Sequence, residues 1–283
     1  MDKSSGMNVD YKTYECKARG VFRKDGMTPL PGDRVLFTVT DENGEKGFID
    51  EILLRKSVLA RPAVANVDQV IAVIAACSPD PDLLLLDKLL ITASRKDLDV
   101  FICINKIDLD PVMKYGSIIA AYEKAGYFVV PVSSKTDTGY DCLISKLKGR
   151  VSVMAGQSGV GKSTILNKIT GSLSMETGDI SGKIMRGRHT TRHAQLFELD
   201  SGGYIVDTPG FSLLDLPDTK PEELQFYYPE FHEFSCMCRF RGCSHIAEPG
   251  CLVKESVNSG KFDFQRYQRY ILLYNALKQN KTF

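Results

Sequence analysis

Hydrophobic residues change their spacing along this chain of 283 residues. From Tyr11 to about Leu59 they alternate with polar residues in short runs, which predicts short β-strands. From Asp68 to Val206 nearly continuous apolar runs alternate with segments of helical spacing, which predicts an α/β region. A last segment, Phe262–Leu277, has helical spacing alone. We therefore predict three domains, residues 1–62, 63–217 and 218–283.

The first region is predicted to be a small β-barrel. Its predicted strands, at residues 14–18, 20–22, 34–39 and 47–49, are separated by turn sequences such as Pro31-Gly32-Asp33 and Glu42-Asn43-Gly44, which is typical of barrels. The pattern leaves an oligonucleotide-binding fold and an SH3-like barrel both open. Basic and aromatic residues here are compatible with a nucleic-acid surface or, equally, with an ordinary core and solvated charges. They are Arg19, Phe22, Arg23, Lys24, Arg34 and Phe37.

The middle region is predicted to form an open, twisted, mostly parallel sheet. Its nearly all-apolar strands are typical of parallel strands covered by helices on both faces. The predicted strands are Asp68–Ala76, Asp99–Ile104, Tyr127–Val132, Val151–Ala155, Ala194–Leu199 and Tyr204–Val206, and the predicted helices span 81–95, 114–125, 139–147 and 165–170. Ligands of such sheets bind beyond the carboxyl ends of the strands.

A phosphate-binding pattern follows the strand Val151–Ala155 and precedes a helix. Its residues are Gly156, Gln157, Ser158, Gly159, Val160, Gly161, Lys162, Ser163 and Thr164. Glycines let main-chain N–H groups converge on phosphate, and the following helix adds the positive end of its dipole. The pattern predicts that Lys162 contacts the β- and γ-phosphates and that Ser163 binds Mg²⁺.

A second motif, Asn105-Lys106-Ile107-Asp108, follows the predicted strand Asp99–Ile104. The segment Ser133-Ser134-Lys135 follows the next predicted strand, Tyr127–Val132. This pair resembles the base-reading motifs of Ras-like GTPases, in which the aspartate accepts from the guanine N1–H and amine. Adenine would leave a buried carboxylate unpaired, so Asp108 is expected to select guanine. Asn105, Lys106 and the Ser133–Lys135 segment are expected to support the base.

The segments after the phosphate loop are predicted to sense the γ-phosphate. Residues 178–193 are polar, glycine-rich and basic, as in a switch loop in which Thr190 or Thr191 binds Mg²⁺. Asp207-Thr208-Pro209-Gly210 follows the strand Tyr204–Val206. We expect Asp207 to hold Mg²⁺ through water and the Gly210 amide to contact the γ-phosphate.

The order of these motifs is unusual. In an ordinary Ras-like GTPase the phosphate loop comes first, whereas here both base motifs precede it. This order predicts a circularly permuted domain, in which the segment after Asp207 leads directly into the C-terminal region. The short join of residues 146–150 would connect the original ends.

Four cysteines and one histidine cluster in the C-terminal region. Cys238, Cys243, His245 and Cys251 provide the donors of a closed tetrahedral zinc site, with one structural ion per chain expected. Cys236 is a competing ligand, and free surface cysteines are the alternative. From Cys236 onward there are eight lysines and arginines against three acids, which favours an anionic partner, although the whole chain has a net charge of +1.

The whole arrangement resembles the ribosome small subunit-dependent GTPase A family of circularly permuted GTPases. The resemblance implies a multidomain α/β protein: an oligonucleotide-binding β-barrel (OB-fold), a permuted Ras-like P-loop GTPase domain and a mostly helical zinc-binding domain. It further implies the 30S ribosomal subunit and 16S rRNA as partners, GTP and GDP as ligands with Mg²⁺, and hydrolysis stimulated by the subunit. The absence of a long apolar run or signal-like N-terminus predicts a cytoplasmic protein with no membrane partner, which we expect to be a monomer.

The sequence lacks the usual residue that positions the attacking water. Phe211 follows Gly210, where Ras has the glutamine that orients water. In families of this kind a switch histidine is proposed instead, which maps onto His189, with His193 second. Gly159 replaces the asparagine of potassium-assisted GTPases, so a monovalent-cation role is not expected.

Two other functional classes stay open at this point. One is an RNA-binding module gated by nucleotide, in which hydrolysis is incidental. The other is a metabolic kinase that uses the same phosphate loop, although it would leave Asp108 and the cysteine cluster without a role.

Overall fold

A computed structural model describes residues 12–20, 22, 26–60, 63–171, 194–207 and 219–280. In the N-terminal part, β1 (Glu15–Ala18), β2 (Val35–Asp41) and β3 (Lys46–Ile52) form a sheet in the order β1-β3-β2. A separate hairpin pairs β4 (Val58–Ala60) with β5 (Ala63–Ala65). The strand expected at residues 20–22 is wrong, because Gly20 lies in a turn and Phe22 is helical and buried.

A six-stranded sheet occupies the middle of the chain. Its strands, in chain order, are β6 (Gln69–Ala75), β7 (Asp99–Asn105), β8 (Val129–Pro131), β9 (Val151–Ala155), β10 (Gln195–Glu198) and β11 (Tyr204–Asp207). They lie in the order β10-β11-β9-β6-β7-β8, and all adjacent pairs are parallel except β10 with β11. Every residue of β6 is buried, as expected for a central parallel strand.

Helices cover both faces of this sheet. They are α1 (Leu83–Arg95), α2 (Tyr115–Lys124), α3 (Tyr140–Leu147) and α4 (Lys162–Thr170). Because side chains alternate along a strand, Ile71 and Val73 pack with α3 and α4, whereas Ala72 and Ile74 pack with α1 and α2. The Asp82 carboxylate caps α1 by accepting from the Leu85 amide at 2.8 Å, so the helix begins two residues after the predicted start at Pro81.

The C-terminal region is mostly helical and packs against α1. It contains 3₁₀ helices Pro221–Tyr227 and Pro229–Phe231 and α-helices α5 (His232–Ser235), α6 (Leu252–Asn258) and α7 (Phe264–Asn280). Ile91 of α1 belongs to the same hydrophobic cluster as Leu224, Tyr228 and Tyr270. The C-terminal region therefore shares a hydrophobic core with α1, one of the helices that cover the central sheet.

Buried charges reinforce that contact. Asp87 of α1 is fully buried and pairs with Arg266 and with Arg269 of α7, the latter at 2.5 Å. Arg266 also pairs with Glu230 at 2.5 Å, and the Tyr122 hydroxyl donates to Asp87 at 2.7 Å. Two of the eight lysines and arginines counted from Cys236 onward therefore do not add to a basic surface, because Arg266 and Arg269 face the interior and pair with carboxylates.

Candidate nucleotide site and candidate metal centre

The carboxyl ends of five parallel strands lie along one edge of the central sheet, in the order β11-β9-β6-β7-β8. Asp207 ends β11, Gly156 follows β9, Asn105 ends β7, and Ser133 follows β8. Motifs that are scattered along the sequence are therefore collected at one edge. The phosphate loop lies on the β11 side of β6, and the Asn105 and Ser133 motifs lie on the other side.

The phosphate loop requires glycine at two positions where it lies against neighbouring strands. A Cβ on Gly156, whose φ is +152°, would lie 2.0 Å from the Val73 carbonyl oxygen of β6. A Cβ on Gly161, whose φ is +94°, would lie 2.3 Å from Asn105 Nδ2. These close approaches hold the loop against both β6 and β7, and α4 begins immediately afterwards at Lys162.

Lys162 points back over the loop. Its Nζ donates to the carbonyl oxygens of Gly156 and Gln157, both at 2.8 Å. Burial lowers the pKa of the ammonium from its ordinary value. The N-terminal end of α4 has no side-chain cap, so its main-chain N–H groups remain available to an anion.

Asn105 and Lys106 link the strand end of β7 to the phosphate loop. Asn105 Nδ2 donates to the Val160 carbonyl at 2.9 Å, while its buried Oδ1 has no hydrogen-bond partner among the described residues. Lys106 Nζ donates to the carbonyl oxygens of Gly159 at 2.7 Å and Ser78 at 2.5 Å. Lys106 has a left-handed backbone, with φ +62°, as the chain turns sharply out of the strand.

Asp108 is held next to Ser133. The Ser133 hydroxyl donates to Asp108 Oδ1 at 2.6 Å, and Ser133 itself is fully buried. Ser134 is half-buried and its hydroxyl lies 2.5 Å from the Tyr140 hydroxyl, whereas Lys135 is exposed. The two base motifs predicted from separate segments are thus in direct contact. Among the other predicted residues, His189, Thr190, Thr191 and Gly210 lie outside the described residues, as do His193 and Phe211.

The four predicted metal ligands converge in the C-terminal region. The ligand atoms of Cys238, Cys243, His245 and Cys251 all lie within 4.8 Å of one another. His245 Nδ1 is 3.4 Å from Cys251 Sγ and 3.6 Å from Cys238 Sγ. Metal–sulfur bonds of 2.3 Å and metal–nitrogen bonds of 2.0 Å at tetrahedral angles place neighbouring ligand atoms about 3.5–3.8 Å apart, so the donor set fits a zinc ion.

Cys236 is not part of this group. It is exposed, and its Sγ lies 3.6 Å from the Glu233 carbonyl. Burial lowers the pKa of His245, which keeps its imidazole neutral, and burial raises the pKa of Cys251 in the metal-free chain. A metal ion would therefore have to displace a proton from that thiol.

Partners outside the cluster hold its loop in place. The Tyr267 hydroxyl donates to the His245 carbonyl at 2.6 Å, and the Tyr270 hydroxyl donates to the Ser244 carbonyl at 2.8 Å. Glu248 accepts from the Ser244 amide and hydroxyl at 2.8 and 2.7 Å. Burial alone raises the pKa of Glu248, but hydrogen bonds such as those from Ser244 outweigh burial and lower the pKa to about 2.

Sequence reasoning missed two residues at these sites. Ser78 contributes only a carbonyl oxygen to Lys106, which no side-chain pattern could reveal. Gln225 lies 2.8 Å through its Oε1 from His245 Nε2, and it is 20 residues away from that histidine along the chain. A glutamine is not a metal ligand in the patterns that identify such sites, so it carried no signal.

The N-terminal sheet has an exposed apolar surface. Leu36 and Phe37 of β2 are 53% and 40% exposed, whereas Phe22 is buried. Arg19 pairs with Asp50 at 2.6 Å. Phe22 thus fits the interpretation of the aromatic residues as an ordinary core. Phe37 is on the surface, as the interpretation of a nucleic-acid surface requires. None of the helices in the described parts of the chain combines the length and hydropathy that a bilayer span requires.

Comparisons with known proteins agree with this arrangement. The family model for the RsgA GTPase matches residues 52–217, and the model for the RsgA N-terminal domain matches residues 7–49. The small ribosomal subunit biogenesis GTPase RsgA of Ruminiclostridium cellulolyticum is 56% identical over 94% of this chain and 87% of its own length. The protein of the same name from Alkaliphilus metalliredigens is 46% identical over 98% of this chain and 95% of its own length.

Solved structures give the same result. The crystal structure of YjeQ from Thermotoga maritima has a TM-score of 0.77 and 41% identity, covering 93% of this chain and 89% of that one. YloQ, described as a circularly permuted GTPase, has a TM-score of 0.79 and 36% identity, covering 98% and 90%. The predicted fold class and the permuted motif order are confirmed by these relatives. The chain is therefore a GTP-hydrolysing enzyme that belongs to the RsgA GTPase family.

Proposed function

We propose that this chain hydrolyses GTP to GDP and phosphate as a checkpoint in late maturation of the small (30S) ribosomal subunit. The GTP form binds the subunit, and hydrolysis releases it. The observation that carries the nucleotide assignment is the Asp108 carboxylate, which is held by Ser133 beside the phosphate loop. The ribosomal assignment is supported by relatives that are named small ribosomal subunit biogenesis GTPases.

Guanine is recognised by the base motifs in this proposal. The Asp108 carboxylate accepts from the N1–H and amine of guanine, and Asn105, at the end of β7, supports the base. Adenine offers no donor at N1, so it would leave the Asp108 carboxylate unsatisfied and would bind more weakly. Lys106 stays between the base and the phosphate loop. Ser134 and Lys135 complete the part of the site that supports the base.

The phosphates and Mg²⁺ are held by the other half of the edge. Lys162 exchanges its two loop carbonyls for β- and γ-phosphate oxygens, and the amides of Gly156–Thr164 surround the phosphates. Ser163 and either Thr190 or Thr191 would bind Mg²⁺ and Asp207 would hold it through water, and the ion would supply positive charge beside the transferring phosphoryl group. Gly210 donates its amide to the γ-phosphate, so the switch segments respond to hydrolysis.

His189 positions the attacking water in this proposal, because Phe211 offers no polar atom for that role. The subunit accelerates the reaction by bringing His189 to the attacking water. His189→Ala should abolish the stimulated rate while leaving GTP affinity within about twofold, since only contacts made in the transition state are lost. An unchanged stimulated rate would assign water positioning to another residue.

The Cys238, Cys243, His245 and Cys251 cluster holds a structural zinc ion, and the chain functions as a cytoplasmic monomer with domains at 1–62, 63–217 and 218–283. The N-terminal sheet and the C-terminal region bind 16S rRNA. Exposed Phe37 and exposed Arg34 support an RNA surface on the sheet.

The direct test is the rate of GTP hydrolysis with and without purified small subunits. We expect a slow rate alone and an increase of roughly tenfold or more with subunits, equivalent to about 1.4 kcal/mol or more off the barrier. Large subunits serve as the matched control and should give no increase. Equal rates with and without small subunits would contradict the proposal.

An RNA-binding module gated by nucleotide is the second candidate. It is favoured only by the exposed apolar and basic surface of the N-terminal sheet. In that case subunits would be released on loss of GTP, whether or not hydrolysis takes place. The metabolic-kinase alternative is contradicted by the family assignment.

A further inference from the structure

The 3₁₀ helix Pro221–Tyr227 lies between the two sites in sequence. It is the first described element after β11, the strand that ends at Asp207, and residues 208–218 between them are outside the described parts. Its Leu224 is buried in the same cluster as Ile91 of α1 and Cys251. The helix therefore packs simultaneously against the GTPase core and the metal centre.

Gln225 of this helix forms a direct hydrogen bond with a predicted metal ligand. Its Oε1 lies 2.8 Å from His245 Nε2, and its Nε2 donates to the Glu222 carbonyl at 3.1 Å. An amide nitrogen can only donate, so the Glu222 carbonyl fixes which end of the amide faces the imidazole. The end facing His245 is the oxygen, which accepts a hydrogen bond.

This arrangement determines the tautomer of the imidazole. With Gln225 Oε1 as acceptor, His245 carries its proton on Nε2 and presents the lone pair of Nδ1 to the thiols. Nδ1 is the atom that lies 3.4 Å from Cys251 Sγ. Tyr267 holds the main chain of His245 and Phe231 packs at the edge of its ring, but among the described residues Gln225 alone is hydrogen-bonded to Nε2.

We propose that Gln225 is a positioning residue for the metal centre, and that the bound metal in turn fixes the 3₁₀ helix that follows the Asp207 strand. The proposal rests on zinc occupying the Cys₃His cluster. Outer partners of a ligating histidine set its orientation and basicity, and their loss lowers metal affinity about 10- to 100-fold. By thermodynamic reciprocity, removing the metal must loosen the contact of Gln225 with the histidine.

The test is the zinc affinity of the full chain, measured by competition with a chromophoric chelator. Gln225→Leu removes the acceptor at similar volume and should weaken zinc binding about 10- to 100-fold. Gln225→Glu keeps an acceptor facing Nε2 and should bind zinc at least as tightly as wild type. Gln265→Leu, on the exposed face of α7, is the control and should leave the affinity unchanged.

The variants separate positioning from simple packing. If Gln225→Glu is as weak as Gln225→Leu, or if both equal wild type, the positioning role is contradicted. If the wild-type chain itself binds no zinc tightly, the metal proposal fails, and this inference fails with it. The far-UV circular dichroism of each zinc-loaded variant shows whether it is folded, and a cobalt-substituted spectrum reports the geometry of the cluster independently of affinity.

Hydrogen exchange tests the reciprocal effect. In wild type, zinc removal should accelerate amide exchange in residues 221–227 more than in β6 of the central sheet. In Gln225→Leu the exchange of 221–227 should be fast even with zinc bound. Equal protection of 221–227 in wild type with and without zinc would contradict the link between the metal and this helix.

Discussion

The nucleotide edge and the metal centre are built in opposite ways. At the nucleotide edge, Lys162 donates hydrogen bonds to loop carbonyls. Asn105 Oδ1 has no hydrogen-bond partner in the parts of the chain that the structure describes. At the metal centre, the cluster is buried among aromatic rings, and its outer atoms are bound by Gln225, Tyr267 and Tyr270. The first arrangement suits a ligand that exchanges, and the second suits an ion that stays.

This difference predicts different consequences of emptying each site. Removing nucleotide should leave the hydrophobic core intact. The groups that we expect to contact nucleotide bond to loop carbonyls in its absence or lie at the edge of the central sheet. Removing the metal should destabilise the C-terminal region, since the ligands are part of its hydrophobic cluster.

Loss of a metal ligand should have the largest effect. Cys243→Ser should lower the free energy of unfolding of the C-terminal region by about 4 kcal/mol or more, when free zinc is a thousand times its Kd for wild type. Denaturant unfolding with saturating zinc measures this. Cys236→Ser is the matched control, because Cys236 is exposed and outside the cluster, and it should behave as wild type. Equal losses in both variants would contradict the assigned ligand set.

The buried ion network should come next. Asp87→Ala leaves Arg266 and Arg269 without their shared carboxylate, and breaking a buried pair in this way costs about 3–5 kcal/mol. The control is Asp99→Ala, which breaks the exposed pair with Arg150 and should cost about 0–1 kcal/mol. Thermal and denaturant unfolding should show the difference. A small effect of Asp87→Ala would mean that the C-terminal region is attached by apolar contacts alone.

Lys162→Ala should separate catalysis from folding. We expect subunit-stimulated hydrolysis to fall about 100-fold or more, because an ammonium that stabilises transition-state charge is lost. The free energy of unfolding without nucleotide should change by about 1 kcal/mol or less, since within the described parts of the chain the hydrogen bonds of this side chain go to loop carbonyls. Lys168→Ala, which removes an exposed pair with Asp137, should change neither quantity. A large loss of stability in Lys162→Ala would show that the nucleotide edge is also part of the core.

Asp108→Asn should alter base selection with the smallest energetic effect. The amide cannot accept hydrogen bonds from both guanine donors, so GTP affinity should fall about 10- to 100-fold. Xanthosine triphosphate has a C2 carbonyl that accepts from the new amide, so the variant should bind it more tightly than wild type does. Nucleotide titration measures both. Asp99→Asn, at an exposed position at the opposite end of β7 from Asn105, should leave the preference for GTP intact. Unchanged GTP affinity in Asp108→Asn would mean that the base is read elsewhere.

The parts that were predictable from sequence are those with local signals. The strand before the phosphate loop was located because the pattern demands an apolar strand followed by a helix, and β9 and α4 occupy those positions. Likewise, ligand spacing, together with the family resemblance that favoured Cys238 over Cys236, identified the residues that converge in the Cys₃His cluster. Each of these signals lies within a few residues of the feature that it predicts.

The parts that were not predictable depend on contacts between distant segments. Arg266 and Arg269 appeared as surface charges of a basic helix, because the carboxylate that neutralises them, Asp87, is on a helix almost 180 residues earlier. Gln225 was overlooked for the same reason, since its role exists only once His245 is folded against it. The strand expected at 20–22 failed because alternation in a short run does not distinguish a strand from a turn that buries one aromatic residue, Phe22.

The most direct test of the account follows release of the chain from purified small subunits after GTP or a non-hydrolysable GTP analogue has been loaded. If hydrolysis is the trigger, release in GTP should occur at the rate of phosphate formation, and the chain loaded with the analogue should remain bound. Lys162→Ala loaded with GTP should also remain bound, because it retains the γ-phosphate. Release that is equally fast with GTP and with the analogue would contradict the checkpoint and favour an RNA-binding module in which hydrolysis is incidental.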